Sequence, residues 1–435
     1  MNDKRILRNI GVSMVMKPIS MLLGLVYTPL ALSFLGDEKY GVWAIILNIV
    51  SWINYFDIGI GNGLRNKLTE AITLNDEEAA KKYVSTAYVG TTIISMFFCI
   101  IITLVWRGLD LCSFFNLTLA DENTDDIIFF SIMFVCINFV LSLSKTSAYA
   151  IQQPGLISVV GVLGQALQVG LIIAISTFMK RSLMSVSLVY GTVGLFDSIL
   201  LFCIVTRKRP YLRPSISSAK KEYFRPLLTL GAGFFALQIS SLVLNTTDNL
   251  LVSNLYGSAD VTPYNTVFKA FNMIVQIHAI IILPMWSAYN EAATRRDISW
   301  IKNTMRRINR ISFCFTGVAS IGIVLFRPVS RIWLGRDLNY GKGLILLVAL
   351  YTIAQLFGNN YSSFLCGVGH IKASIIISVI GALLNIPLSV IFARHLSMRL
   401  NGIILGSLVV MLISTIVLPI VAHRWINAKT KEWCE

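Results

Sequence analysis

Seven ionisable side chains lie inside long apolar stretches of the sequence, where a charge is costly unless it is paired or faces water. These residues are Lys17, Asp57, Lys145, Asp197, Asp248, Lys269 and His278. A carboxylate there can carry a proton or a cation, or form a charge pair that breaks when helices move; a fixed structural pair is the alternative. The imidazole can titrate near neutrality, with hydrogen-bonded packing as its alternative. Lys17 and Lys145 lie near the ends of their stretches, from which an ammonium group can reach the membrane surface.

Amide and hydroxyl side chains recur in the same stretches at helical spacing, so each set shares one face of its helix. The first set is Lys17, Ser20, Gly24 and Tyr27, and the set 221 residues later is Gln238, Ser241, Asn245 and Asp248. In the same way Asn48, Ser51 and Tyr55 correspond to Lys269, Asn272 and Gln276. We expect these faces to line a cavity between two helical bundles, although hydrogen bonding between helices would also explain them.

The composition predicts an integral membrane protein. The chain has 435 residues, of which 55% are hydrophobic and 14% charged, and its mean hydropathy is +0.70. A soluble chain carries about a quarter charged residues. The net charge of +15 comes from Lys and Arg placed between the apolar stretches, a pattern of membrane topology rather than of nucleic-acid binding. The seven cysteines form no C-x-x-C pair, so we expect no disulfide or metal framework.

Twelve apolar stretches are long enough to cross a bilayer as helices, which takes about 20 residues. They lie at 10–33, 40–60, 83–106, 127–150, 155–178, 184–206, 227–254, 263–285, 311–328, 344–366, 373–393 and 402–423. The loops on the side of the two termini carry 24 Lys and Arg residues and the opposite loops carry 10. The positive-inside rule therefore predicts cytoplasmic N and C termini.

The two halves of the sequence resemble each other at a fixed offset of 221 residues. Glu70 to Asp76 and Glu291 to Asp297 both read E-A-x-T-x-x-D, and a basic segment divides the spans six and six. We predict an all-α protein with two six-helix bundles, at 1–206 and 227–435, joined by a cytoplasmic basic linker at 207–226. Because each half has six spans, the repeat is parallel, about an axis along the membrane normal.

Two motifs carry a resemblance to a known family. They are Y-F-D-I-G-I-G-N-G-L-R-N-K-L from Tyr55 to Leu68 and L-P-M-W-S-A-Y-N-E-A from Leu283 to Ala292. Both resemble the O-antigen flippases of the Wzx type, in the multidrug/oligosaccharidyl-lipid/polysaccharide (MOP) exporter superfamily. The resemblance implies a MATE-like fold in the bacterial inner membrane. It also implies translocation of an undecaprenyl-diphosphate-linked oligosaccharide from the cytoplasmic to the periplasmic leaflet by alternating access.

This resemblance gives each candidate residue an expected role. Lys17, Lys145 and Lys269 become candidate contacts for the diphosphate, acting as point charges. The candidate glycan contacts are Ser20, Gln238, Asn245, Asn48, Asn272 and Gln276. The candidate coupling or charge-pair residues are Asp57, Asp197, Asp248 and His278. We expect no catalytic residue, metal or cofactor, and H⁺ or Na⁺ as the coupling ion. The expected partners are membrane lipids and the polysaccharide polymerase or chain-length machinery.

Two other functions fit parts of the sequence. A cation-coupled multidrug exporter would share the fold, but we expect an acidic cavity in it, whereas three lysines lie within the spans here. A membrane glycosyltransferase or polymerase is disfavoured because no outer loop is much longer than about twenty residues and no paired-carboxylate motif is present.

Overall fold

The described part of the chain is almost wholly helical. The computed structural model describes residues 3–36, 39–40, 42–43, 46–47, 50, 59–108, 124–179, 182–256, 258–334, 340–341 and 343–434, and no strand lies among them. The chain divides into two compact units, Met1–Ala232 and Gly233–Glu435. The prediction of an all-α fold is confirmed.

In the described part of the chain, the first unit contains seven helices with defined bounds, further helical residues between 39 and 50, and a short linker. The helices are α1 (Asp3–Leu35), α2 (Ile60–Thr73), α3 (Glu77–Gly108), α4 (Thr124–Leu141), α5 (Leu143–Ala150), α6 (Pro154–Phe178) and α7 (Leu183–Lys208). Two 3₁₀ turns follow, Pro210–Leu212 and Ile216–Ser218. Helix α1 packs on α6, and α7 packs on both α4 and α6. The single predicted span at 127–150 is therefore two helices, α4 and α5, which meet at Ser142.

Longer helices form the second unit. They are α8 (Lys221–Tyr256), α9 (Ser258–Thr294), α10 (Ile298–Leu334), α11 (Leu344–Gly367), α12 (Lys372–Val390) and α13 (Leu400–Cys434), with a π-helical turn at Ile391–His395. Helix α13 packs on α11 and α12, and α9 packs on α11. Helix α8 begins in the first unit and continues into the second.

Eleven helical segments of the described chain are long and apolar enough to cross a membrane. The remaining predicted span, at 40–60, lies largely outside the described residues. Large apolar side chains stand exposed along these helices, as shown by Leu25, Leu104, Val324 and Leu383, each at least 66% exposed. Exposed apolar surface of this extent marks contact with another apolar phase, so the protein is a multi-pass membrane protein.

The E-A-x-T-x-x-D motifs form two turns with the same backbone hydrogen bonds. Leu74 N–H donates to Glu70 O and Asp76 N–H to Ala71 O; Arg295 N–H donates to Glu291 O and Asp297 N–H to Ala292 O. Asn75 and Arg296 both adopt a left-handed conformation, with φ of 58° and 57°. Each motif ends in an aspartate that caps the next helix, because its Oδ1 accepts the backbone N–H three residues later. The sequence repeat is thus also a repeat of local structure.

Glycines allow α2 to approach the first turns of α8 inside the first unit. A Cβ on Gly63 would lie 2.7 Å from Leu227 O, and one on Gly59, which has φ +68°, would lie 2.0 Å from Gly231 O. Both distances are well below the normal distance between a carbon and an oxygen atom that are not bonded, so only glycine fits at these two positions. The G-x-x-x-G spacing within G-I-G-N-G is therefore explained by close helix packing.

Candidate functional site

A polar cavity of about 340 Å³ lies within the first unit. Its polar lining comes from four helices: Ser131 and Asn138 of α4, Lys145 of α5, Gln165 and Gln168 of α6, and Ser187, Tyr190 and Asp197 of α7. Two hydrogen bonds hold α4 and α7 together at this wall. Ser131 Oγ lies 2.7 Å from Ser187 Oγ, and Ser198 Oγ donates to Asn138 Oδ1 at 2.6 Å. A mixed polar lining between apolar helices is typical of a ligand site.

The carboxylate of Asp197 lies directly against the backbone of α6. A Cβ on Gly164 would lie 2.1 Å from Asp197 Oδ1 and 2.3 Å from Oδ2, so the glycine leaves the space that the carboxylate occupies. Among the described residues, Asp197 Oδ1 has no hydrogen-bond partner, and neither has Oε1 of the adjacent Gln165. Two buried acceptor oxygens therefore face a cavity without a protein donor, which costs free energy unless a ligand or water donates to them.

Lys145 shares this cavity with Asp197 and acts on it electrostatically. The sequence suggested a phosphate-binding role for the lysine and a coupling role for the aspartate. The structure brings the two into one site, although they lie 52 residues apart in the sequence. A cation and a carboxylate in one cavity can bind a ligand that carries both acceptors and donors.

A second buried cluster surrounds Asp248 in the second unit. Tyr264 Oη of α9 donates to Asp248 Oδ2 at 2.6 Å, and Ser407 Oγ of α13 lies 2.9 Å from both carboxylate oxygens. Asn385 Nδ2 of α12 donates to Ser407 Oγ at 2.7 Å. Asp248 is 5% exposed, and these hydrogen-bond partners are neutral. A buried carboxylate with neutral donors can take up a proton or a cation.

His278 joins a buried polar network of α9, α10 and α11. Its Nε2 lies 2.9 Å from Ser312 Oγ, and Asn360 Nδ2 donates to the same hydroxyl oxygen at 2.9 Å. Asn360 Nδ2 also reaches Asn309 Oδ1 at 3.1 Å, and Asn309 Nδ2 donates to Tyr361 Oη. One ring nitrogen of His278 therefore takes part in hydrogen-bonded packing.

The other predicted site residues divide into three groups. Lys269 and Gln276 are exposed, and Asn272 is half-buried. Lys17, Ser20 and Gln238 are half-buried on their helices, and Gln238 Oε1 is a buried atom without a described partner. Asn48, Asp57 and the side chain of Asn245 lie outside the described residues.

Sequence reasoning missed several polar residues that the structure adds to the two clusters. They are Asn138, Gln165, Gln168 and Tyr190 in the first unit and Tyr264, Asn385 and Ser407 in the second. The spacing of Gln165 and Gln168 places both on one face of α6 within an apolar span, which is the signal that could have identified them.

The long apolar helices and the buried polar clusters within each unit define a multi-pass membrane protein, and its relatives identify the class as transporters. The family model described as "Polysaccharide biosynthesis protein" matches residues 6–289, and the MatE model matches residues 235–391. The chain belongs to the polysaccharide biosynthesis protein family.

Relatives and solved structures agree with this assignment. A protein of Salmonella typhimurium, provisionally named an O-antigen transporter, is 23% identical over 391 residues, covering 87% of each chain. A Yersinia pseudotuberculosis protein, provisionally named an O-antigen export protein, is 22% identical over 78% of each chain. A crystallised MATE mutant matches with a TM-score of 0.80 at 15% identity, over 98% of this chain and 97% of its own. A MOP superfamily transporter of Pyrococcus furiosus matches with a TM-score of 0.79 at 15% identity, over 98% and 96%. The predicted superfamily and MATE-like fold are confirmed.

Proposed function

We propose that the protein is a flippase for an undecaprenyl-diphosphate-linked O-antigen or similar oligosaccharide unit. It moves the unit from the cytoplasmic to the periplasmic leaflet of the bacterial inner membrane. The family and the names of the relatives support the substrate class. The observation that carries the proposal is the cavity of the first unit, because one lysine and two unpartnered acceptor oxygens lie in it together.

The chemistry of this cavity suits a charged sugar derivative. Carboxylate and amide oxygens accept hydrogen bonds from sugar hydroxyl groups, so Asp197, Gln165 and Gln168 are the proposed glycan contacts. The ammonium group of Lys145 donates to phosphate oxygens without demanding a fixed orientation. Lys17 and Lys269 remain proposed as further contacts for the diphosphate, and Ser20, Gln238, Asn48, Asn245, Asn272 and Gln276 as further contacts for the glycan. The polyprenyl tail needs no polar site, because it can stay in the bilayer.

Transport against a gradient needs an energy source, and Asp248 is our proposed coupling residue. Its partners Tyr264 and Ser407 are neutral, so they can stabilise the carboxylate without cancelling its negative charge. H⁺ or Na⁺ can then bind to the carboxylate. Asp57, Asp197 and His278 are proposed as additional coupling or charge-pair groups. We propose that the cycle proceeds by alternating access with both termini in the cytoplasm, without covalent chemistry, and alongside the polymerase or chain-length machinery.

Deletion of the gene tests the transport proposal. We expect loss of surface polysaccharide and accumulation of the lipid-linked intermediate on the cytoplasmic side, both restored by the wild-type gene. The Asp197→Asn variant, whose side chain has the same size, should insert into the membrane. It should restore little transport to the deletion strain. Normal surface polysaccharide in the deletion strain would contradict the proposal.

A cation-coupled multidrug exporter is the second candidate function. The MatE match over residues 235–391 and the buried Asp248 favour it. The same deletion strain separates the two candidates. Increased sensitivity to amphipathic cationic drugs, with surface polysaccharide unchanged, would support the exporter.

A further inference from the structure

The segment from Arg207 to Arg225 carries a dense positive charge on an ordered surface. It contains seven basic residues and one acidic residue, Glu222. The exposed side chains of Arg207, Arg209, Arg213, Ile216, Lys220, Lys221 and Arg225 form what we call the linker surface. The positive-inside rule alone would explain the positive charge of a cytoplasmic loop. It does not explain why such a loop has a defined structure or an exposed apolar side chain.

Hydrogen bonds and packing fasten this segment to α3. Ser215 N–H donates to Ser85 Oγ at 3.0 Å, and Lys220 N–H donates to Thr86 Oγ1 at 3.1 Å. Leu212 is 2% exposed and packs in the same core as Val84. The backbone that carries the basic side chains is therefore attached to α3 at Leu212, Ser215 and Lys220.

The attachment point sets the height of the linker surface relative to the membrane. The first turns of α3 carry Glu77, Glu78, Lys81 and Lys82, whose charges balance, and from Tyr83 to Trp106 the helix has no charged residue. Ser85 and Thr86 stand just inside this uncharged stretch. The linker is thus level with the point where α3 passes from water into the apolar layer, which is the depth of the lipid headgroups.

An apolar side chain projects from the middle of the linker surface. Ile216 is 87% exposed, the largest fraction among the described large hydrophobic side chains. It lies in the 3₁₀ turn Ile216–Ser218, between Arg213 on one side and Lys220 and Lys221 on the other. An isolated apolar group flanked by basic residues is the arrangement that inserts between headgroups while the charges bind anionic lipid.

We propose that the linker surface is a binding site for the headgroups of anionic phospholipids, with Ile216 inserted among them. Basic residues near an anionic membrane each raise the affinity by about fivefold, so the clustered charges select anionic over zwitterionic lipid. This site lies outside the transport cavity and does not depend on the substrate proposed above.

Hydrogen exchange in lipid nanodiscs tests this proposal without a transport assay. The amides of residues 209–220, apart from Pro210 and Pro214, which have no N–H, should exchange at least about fivefold more slowly in phosphatidylcholine–phosphatidylglycerol discs than in phosphatidylcholine discs. Combined Arg213→Ser, Lys220→Ser and Lys221→Ser substitutions should abolish this difference. The Ile216→Ser variant should reduce it although the charge is unchanged. A matched control removes three basic residues from α10, by Lys302→Ser, Arg306→Ser and Arg310→Ser, and should retain the difference.

Three outcomes would overturn the proposal. They are equal exchange of the wild-type linker in both kinds of disc, a lipid-dependent difference that survives in the triple linker variant, and protection by undecaprenyl phosphate but not by phosphatidylglycerol. The last result would assign the surface to the transport substrate. Any of the three would leave the proposed flippase activity standing, since no transport is measured.

Discussion

At the residue scale, the cavity of the first unit depends on two charged groups, Asp197 and Lys145, and on the amide side chains that helix packing brings beside them. Hydropathy alone indicates that Asp197 and Lys145 are unusual, because a charge within an apolar span is rare. That they face one cavity with Gln165 depends on how α5, α6 and α7 pack, which no local pattern encodes. Asp248 shows the same limit: its partners Tyr264 and Ser407 come from helices 16 and 159 residues away in sequence.

Gly164 provides the sharpest test of the cavity at this scale. The Gly164→Ala methyl group would overlap the Asp197 carboxylate, so the carboxylate must move by an ångström or more. We expect transport to fall by roughly tenfold to a hundredfold, because binding groups displaced by about 1 Å lose much of their effect. Transport of the lipid-linked intermediate is the measurement. Gly161→Ala, on the same helix with no atom within 4 Å of the new methyl group, should remain active. Equal activity of the two variants would exclude Asp197 from the mechanism.

At the element scale, the E-A-x-T-x-x-D motif adopts the same turn at both of its positions. The E-A-x-T-x-x-D motif contains both the left-handed position and the capping aspartate of its turn, so its local structure follows from local sequence. The glycines of G-I-G-N-G are different. Their motif supported a family resemblance, yet its physical reason, the approach of α2 to α8, is visible only in the tertiary structure.

Gly59 tests this helix packing. Gly59→Ala adds a methyl group that would overlap Gly231 O, at a position with φ +68°. The left-handed conformation costs about 1–2 kcal/mol for an L-residue, and overpacking adds about 1–3 kcal/mol, so the unfolding midpoint in detergent should fall by several degrees. Gly11→Ala on α1 has open space around the new methyl group and should leave the midpoint unchanged or slightly raised. An unchanged midpoint for Gly59→Ala would mean that α2 and α8 can separate without loss of stability.

At the scale of the whole molecule, composition and span counting predicted the class of protein, and the family match confirmed it. Counting was effective because a bilayer fixes the length of an apolar helix, so the signal is local and strong. The polar faces predicted on separate spans did not identify the binding cavity in the same way. Their side chains include buried, half-buried and exposed residues, and the cavity that the structure contains uses α4 to α7 of a single unit.

The orientation of the chain in the membrane is a prediction at the scale of the whole molecule. The excess of Lys and Arg in alternate loops predicts cytoplasmic termini, with the segment 107–126 on the periplasmic side. Green fluorescent protein fused after Glu435 should therefore stay in the cytoplasm and fluoresce. It would be dark on the periplasmic side, because it does not fold after export in unfolded form through the general secretory pathway. Alkaline phosphatase, which needs the oxidising periplasm, should be active when fused within 107–126 and inactive when fused after Glu435. A C-terminal fusion that is dark with green fluorescent protein and active with alkaline phosphatase would show that the topology is the reverse of the predicted one. It would also place the linker surface on the periplasmic leaflet.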